Sequence, residues 1–267
     1  MKKLVALMLV GAMTAAMVTG CGSSADTSAS TDAAAEDTAA DAEATEDTAE
    51  AAEDTAEDTA EDTAADAKSD LAYVKEKGTL VVGITEFEPM DYKDENGEWI
   101  GFDADMAKAF AESLGVTAEF QVIDWDNKIL ELDGKTIDCV WNGMTLTDEV
   151  TSAMECTNAY LNNAQVVVVP ADVADQYQDE ESLKDLSFAV EAGSAGEAEV
   201  SALGLNYTPV SSQADALMEV ASKSSDAAVI DSLMAGAMIG EGTGYADLTY
   251  TIGLNSEEYG VGFRKGS

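Results

Sequence analysis

The chain has 267 residues, with 53 acidic side chains against 13 basic ones for a formal charge of −40, and no histidine. This balance excludes a nucleic-acid binder and an electrostatic grip on anionic lipid. The missing histidine removes His-based triads and the commonest zinc ligand.

The N-terminus reads as an address label. Lys2-Lys3 precede an apolar run from Leu4 to Val18. That run is shorter than the roughly 20 residues of a membrane span and suits a secretory signal. Val18-Thr19-Gly20-Cys21 follows and resembles a bacterial lipoprotein box, with Cys21 as the lipidated first mature residue. Residues 1–20 are therefore expected to be a lipoprotein signal peptide. Residues 21–70 are expected to be a lipidated cysteine plus an acidic disordered tether. From Ser23 to Asp70 there is no aromatic residue, and Ala-Glu-Asp-Thr units recur across Ala52 to Thr63. Such a stretch has no apolar stripe to bury and cannot offset the entropy of ordering.

From Leu71 onward strand and helix signals alternate. Leu80 to Ile84 is a short apolar run, as in a strand covered on both faces. Asn96-Gly97 signals a tight turn. Asp103 is placed to cap a helix running to Leu114, with Met106, Phe110 and Leu114 on its buried face, and Gly115 ends it. Ala118 to Val122 is the next strand, Asp126 to Leu132 a short helix, and Cys139 to Trp141 a buried strand running into Asn142-Gly143. Gln165 to Val169 is a strand stopped by Pro170. Phe188 to Val190 feeds a turn, Glu191 to Gly196, that opens a helix. Ala214 to Val220 is helical, Ala227 to Ile230 a strand, Ser232 to Ile239 a helix, and Tyr259 to Phe263 a last strand. The alternation predicts an α/β fold with mainly parallel sheets and a ligand site outside the carboxyl ends of the strands.

Four ordered segments carry a family resemblance. Ile137 to Tyr160 (IDCVWNGMTLTDEVTSAMECTNAY) is similar to the segment D-x-x-x-x-G-x-T-x-T-x-E-R of the extracellular solute-binding proteins of polar amino acid importers, family 3. Gly101 to Met106 (GFDADM), Asp226 to Asp231 (DAAVID) and Tyr259 to Gly266 (YGVGFRKG) match further signatures of that family. The resemblance implies a two-lobed, periplasmic-binding-protein-like (type II) fold with a cleft between α/β lobes. Lobe 1 would cover 71–162 and lobe 2 163–255, with 256–267 returning to lobe 1. The crossings fall near Leu161–Ala164 and Leu254–Tyr259. Family members continue past the Lys-Gly-Ser in helices that pack on the first lobe, so the chain is expected to be a fragment.

Residue by residue, the resemblance implies that Phe87 and Trp125 flank the ligand side chain. Gly143 would offer its carbonyl to a ligand ammonium, Thr145 its N–H and hydroxyl, and Asp231 its carboxylate, with capping of the next helix as the rival role for Asp231. Ser194 and Ala195 open a helix whose N–H groups favour an anion. Where the family has an arginine for the ligand carboxylate, this chain has Val150; the only arginine is Arg264, and no neighbouring basic residue is expected to compensate. The solute then either carries a carboxylate held by the helix N-terminus and Thr145, or lacks one, with Asn142 reading another polar group. Cys139 and Cys156 sit on segments that the family places as neighbouring strands, which leaves a disulfide or two buried thiols open. The implied function is capture of an amino acid or related solute by a lipid-anchored, extracytoplasmic, monomeric binding protein. It would deliver that solute to an ABC permease and its ATPase, with no cofactor, no metal and no contact with nucleic acid. Two alternatives stand beside it. One is a dehydratase-like enzyme on the same scaffold, using Glu86, Glu149 or Glu191 as its acid. The other is a sensing module for a signalling partner.

Overall fold

The computed structural model describes residues 69–267. The signal peptide, Cys21 and nearly all of the tether lie outside the described residues. Asp70, assigned above to the tether, instead opens the first helix.

The first lobe runs α1 (Asp70–Lys77), β1 (Thr79–Ile84), the hairpin β2 (Tyr92–Lys93) and β3 (Trp99–Ile100), α2 (Phe102–Leu114), β4 (Thr117–Val122), α3 (Lys128–Asp133), β5 (Cys139–Thr145), α4 (Asp148–Ala153), β6 (Glu155–Cys156) and β7 (Leu161–Asn163). The second runs β8 (Gln165–Pro170), β9 (Ser187–Glu191), α5 (Ala195–Ala202), β10 (Asn206–Val210), α6 (Gln213–Ala221), β11 (Ala227–Asp231), α7 (Ser232–Met238) and β12 (Leu248–Gly253). The chain then returns as β13 (Glu257–Phe263). One sheet has the order β4-β1-β5-β13-β6, with β7 also paired to β13; the other has the order β10-β9-β11-β8-β12. The chain thus leaves the first sheet between Asn163 and Gln165 and re-enters it at Glu257, and these two crossings pair with each other at Glu257 and Asn163. In each sheet the βαβ strands are parallel, while β13 and β8 run against their neighbours. The fold is α/β with two lobes.

Continuous apolar strands are buried on both faces, as β8 shows. Val166 and Val168 face one core with Ile230 and Leu217, while Val167 and Val169 face another with Phe188 and Val190. The first of these cores also takes in Phe87, Met90 and Tyr259 from the first lobe, so the lobes share an apolar contact. Arg264 is a fastener within lobe 1. Its guanidinium pairs with Asp70 and donates to the carbonyls of Leu132 and Ile137.

Two local expectations are corrected, and the open question of the cysteines is answered. The fully buried stripe of α2 is Ala104, Ala107 and Ala111, while Met106 is 48% exposed and Phe110 packs on the core only in part. The N-cap position is Gly101, and Asp103 points inward to accept from the Gly143 N–H at 2.6 Å and the Tyr160 hydroxyl at 2.8 Å. Cys139 and Cys156 are free thiols. Strand β13 runs between theirs, with Phe263 opposite Cys139 and Gly262 opposite Cys156. Two strand spacings are about 10 Å, beyond the roughly 7 Å a disulfide spans.

Candidate functional site

A cavity of about 250 Å³ opens where strand ends of both lobes face each other. All eight residues named from sequence line it: Phe87, Trp125, Asn142, Gly143 and Thr145 from the first lobe, and Ser194, Ala195 and Asp231 from the second. The reason is topological: β5, β9 and β11 deliver their carboxyl ends to the cleft, where the backbone leaves the ladder.

On the first-lobe wall, Gly143 has φ +54, and a Cβ there would lie 2.5 Å from the Phe87 ring, so this position needs glycine for both conformation and space. Phe87 is held edge-on to Tyr259 with ring centroids 6.5 Å apart. Asn142 is not free to read a solute. Its Oδ1 accepts from the Thr85 N–H and hydroxyl, and its Nδ2 donates to the Thr85 carbonyl and to Asp91. It acts as an internal bracket. Burial, with the charge of Asp103 adding to it, pushes the Asp91 carboxyl up to about 8, and burial pushes Asp103 up to about 6. The Thr145 hydroxyl donates to Glu257 at 3.0 Å.

On the second-lobe wall, Asp231 sits at the N-cap position of α7 without a side-chain capping bond. Its carboxylate accepts instead from three amides: Asn163, Gln165 at 2.8 Å, and Gln213. Asn163 and Gln165 also donate to Glu257, tying Asp231 to the crossing strands. Burial and the neighbouring Glu257 carboxylate raise the Asp231 pKa. Glu191, at the end of β9, is 2% exposed, and its Oε1 has no hydrogen-bond partner among the described residues. Burial, reinforced by the charge of Asp231, pushes this carboxyl up to about 8. Of the other carboxylates considered from sequence, Glu86 and Glu149 are exposed.

The opening of α5 is satisfied in part by the chain itself. Ser194 Oγ accepts from the Glu197 N–H at 3.1 Å, and the Glu197 carboxylate accepts from the Gly193 N–H at 2.7 Å.

One basic residue that the sequence reading did not name does reach the cavity that Val150 lines. Lys128 lines the same cavity, 6% exposed. Its ammonium donates to the Trp125 carbonyl at 3.3 Å and, across the cleft, to the Gly193 carbonyl at 2.8 Å, and it sits 5.1 Å from the Trp125 ring centroid. Burial lowers its pKa, and Glu149, Glu191, Asp126 and Glu197 oppose that shift. Gly193 lies so close to Asp126 that a Cβ would come within 2.5 Å of its Cα. Sequence reading also missed Gln165 and Gln213. Lys128 had a signal, since i,i+3 spacing on a helical turn stacks it beside Trp125. Gln165, a polar residue opening an all-valine strand, had a weaker one, and Gln213 had none.

Several proteins similar to this chain are amino-acid-binding proteins by name. The L-cystine-binding protein TcyJ of Escherichia coli (strain K12) is 35% identical over 88 residues, 33% of this chain and 33% of its own. The arginine-binding extracellular protein ArtP of Bacillus subtilis is 30% identical over 167 residues, 60% of this chain and 63% of its own. The chain therefore spans between a third and somewhat under two thirds of these relatives. Among solved structures, holo ArgBP from T. maritima superposes with a TM-score of 0.67 at 34% identity, over 72% of this chain and 85% of that one. The family model of the bacterial extracellular solute-binding proteins, family 3, matches residues 80–266. With the two sheets, the crossings and the cleft between them, the chain belongs to that family.

Proposed function

We propose that this protein is the extracytoplasmic solute-binding lipoprotein of an ABC importer. It captures one small polar solute, an amino acid or a close relative of one, and hands it to a membrane permease driven by an ATPase. The observation that supports this reading best is the cavity itself, walled by strand ends of both lobes and backed by paired crossing strands that can act as a hinge. A solute touching both walls stabilises the closed arrangement over the open one by its differential affinity, and the permease reads the closed form. Cys21 anchors the chain and the acidic tether spaces the lobes from the membrane. The bound molecule leaves unchanged.

Thermal shift of the protein against amino acids, their amides, amines and short peptides tests the central claim. A solute at 100 times its Kd adds about 2.7 kcal/mol of stability, a shift of several degrees. Recovery of that solute intact after prolonged incubation separates transport from the dehydratase-like alternative. The buried Glu191 carboxyl with its raised pKa favours that alternative, as does the 32% identity over 83 residues to a cyclohexadienyl dehydratase of Pseudomonas aeruginosa. Consumption of the solute would move the assignment to an enzyme.

A further inference from the structure

Resting on the solute-binding reading, we infer that the solute is a small organic cation without a carboxylate, an amine or guanidino-amine, and that the buried Glu191 carboxylate is what selects it.

The cleft lacks a carboxylate clamp. Val150, on the cavity wall, is 3% exposed and packed with Val140, Met144 and Met154, so it offers only methyl groups. Just before α5 the Glu197 carboxylate takes the Gly193 N–H, and Ser194 Oγ takes the Glu197 N–H, so a negative charge already stands beside the helix opening. An incoming carboxylate would meet the Glu197 charge there. Lys128 spends two of its three protons on the Trp125 and Gly193 carbonyls, one in each lobe, and Glu149, Glu191, Asp126 and Glu197 all lie within its electrostatic reach. Its work is to bridge the lobes. It also covers one face of Trp125.

The cation side is better equipped. The cavity lining holds Asp148, Glu149, Glu191 and Asp231 against Lys128. Asp231 is wired to three amides, whereas Glu191 Oε1 is buried and unpartnered on the wall. A buried carboxyl oxygen with no donor costs free energy until something donates to it. An ammonium or guanidinium supplies charge-assisted hydrogen bonds there. In the solute-free protein Glu191 holds a proton near neutral pH, since its pKa stands at about 8. A bound cation expels that proton, so affinity rises with pH up to about 8 and binding releases H⁺ to the buffer.

The test is calorimetric titration of the whole chain with two matched pairs, agmatine against L-arginine and cadaverine against L-lysine, where each pair differs by one carboxylate. The decarboxylated member is expected to bind at least about tenfold tighter, since one charge-assisted bond carries that much. Glu191→Gln should lose about tenfold or more for agmatine, while its own melting temperature at pH 8 stays level or rises. L-arginine or L-lysine binding as tightly as its amine overturns the inference, as does a Glu191→Gln variant that binds agmatine normally. Binding of uncharged or acidic solutes alone overturns the inference and leaves the transport reading standing. No response to any amino acid, amide, amine or peptide overturns both.

Discussion

Glu191 and Gly193 stand two residues apart on the same turn and do different work. Glu191 sets a carboxyl with one unpartnered oxygen on the cavity wall, and Gly193 lets the turn press against Asp126 of the opposite lobe. With φ +71 and a virtual Cβ 2.5 Å from backbone, Gly193→Ala is expected to hold the lobes apart. Affinity for any solute should fall by roughly tenfold or more, since about 1–3 kcal/mol of strain opposes closure. Titration calorimetry reads that loss. Small-angle scattering should show a larger radius in the liganded variant than in the liganded parent, while each lobe keeps its melting behaviour. Val150→Arg is the complementary change. It adds a guanidinium to a wall that has none among the described residues, and should shift the agmatine-to-arginine affinity ratio toward L-arginine by about tenfold.

At the scale of elements, β13 decides the state of the cysteines. It returns late in the chain to lie between β5 and β6, and so separates two thiols that are close in sequence. Burial pushes the Cys139 thiol far up and the Cys156 thiol up as well, but only Cys156 is partly exposed. Since the thiolate is the reactive form, Cys156 is expected to be alkylated slowly in the native protein. Cys139 should be alkylated only after unfolding, and the folded lobes should keep one mass with and without reductant; peptide mass spectrometry distinguishes the two sites. Among the elements illegible in the sequence were the edges of the second sheet. β10 (Asn206–Val210) contains a proline and is partly exposed, and β12 (Leu248–Gly253) mixes threonine with single apolar residues. Edge strands need less burial, so their apolar signal is weak.

For the whole molecule, the unusual feature is how many carboxyls folding makes harder to ionise. Glu191 and Asp91 move up to about 8, Asp103 to about 6, and Asp231 upward. Such a group binds its proton more tightly folded than unfolded. The stability it confers is complete below its ordinary value near 4 and is lost as pH rises through its folded value. The solute-free protein is therefore expected to melt higher at pH 5 than at pH 8, by at least about 3 °C, in calorimetric scans at both pH values. The Glu191→Gln variant should show a smaller difference. A saturating organic cation should narrow it from the other side, by raising the melting point most at pH 8.

The sequence by itself determined the α/β class, the order of the buried strands, the family and the eight residues around the cleft. The class and the strands follow from apolar runs, which are local; the family and the cleft residues came from the resemblance that four ordered motifs carry. It did not determine what those residues are free to do. Asn142 was expected to read a solute but is consumed by Thr85 and Asp91, and the turn that opens α5 already carries the Glu197 carboxylate. Lys128 enters the cleft only because a short helix in one lobe meets a glycine turn in the other. Whether a polar atom is spent or available depends on partners many residues away in the chain, and only the folded structure brings those partners within hydrogen-bond distance.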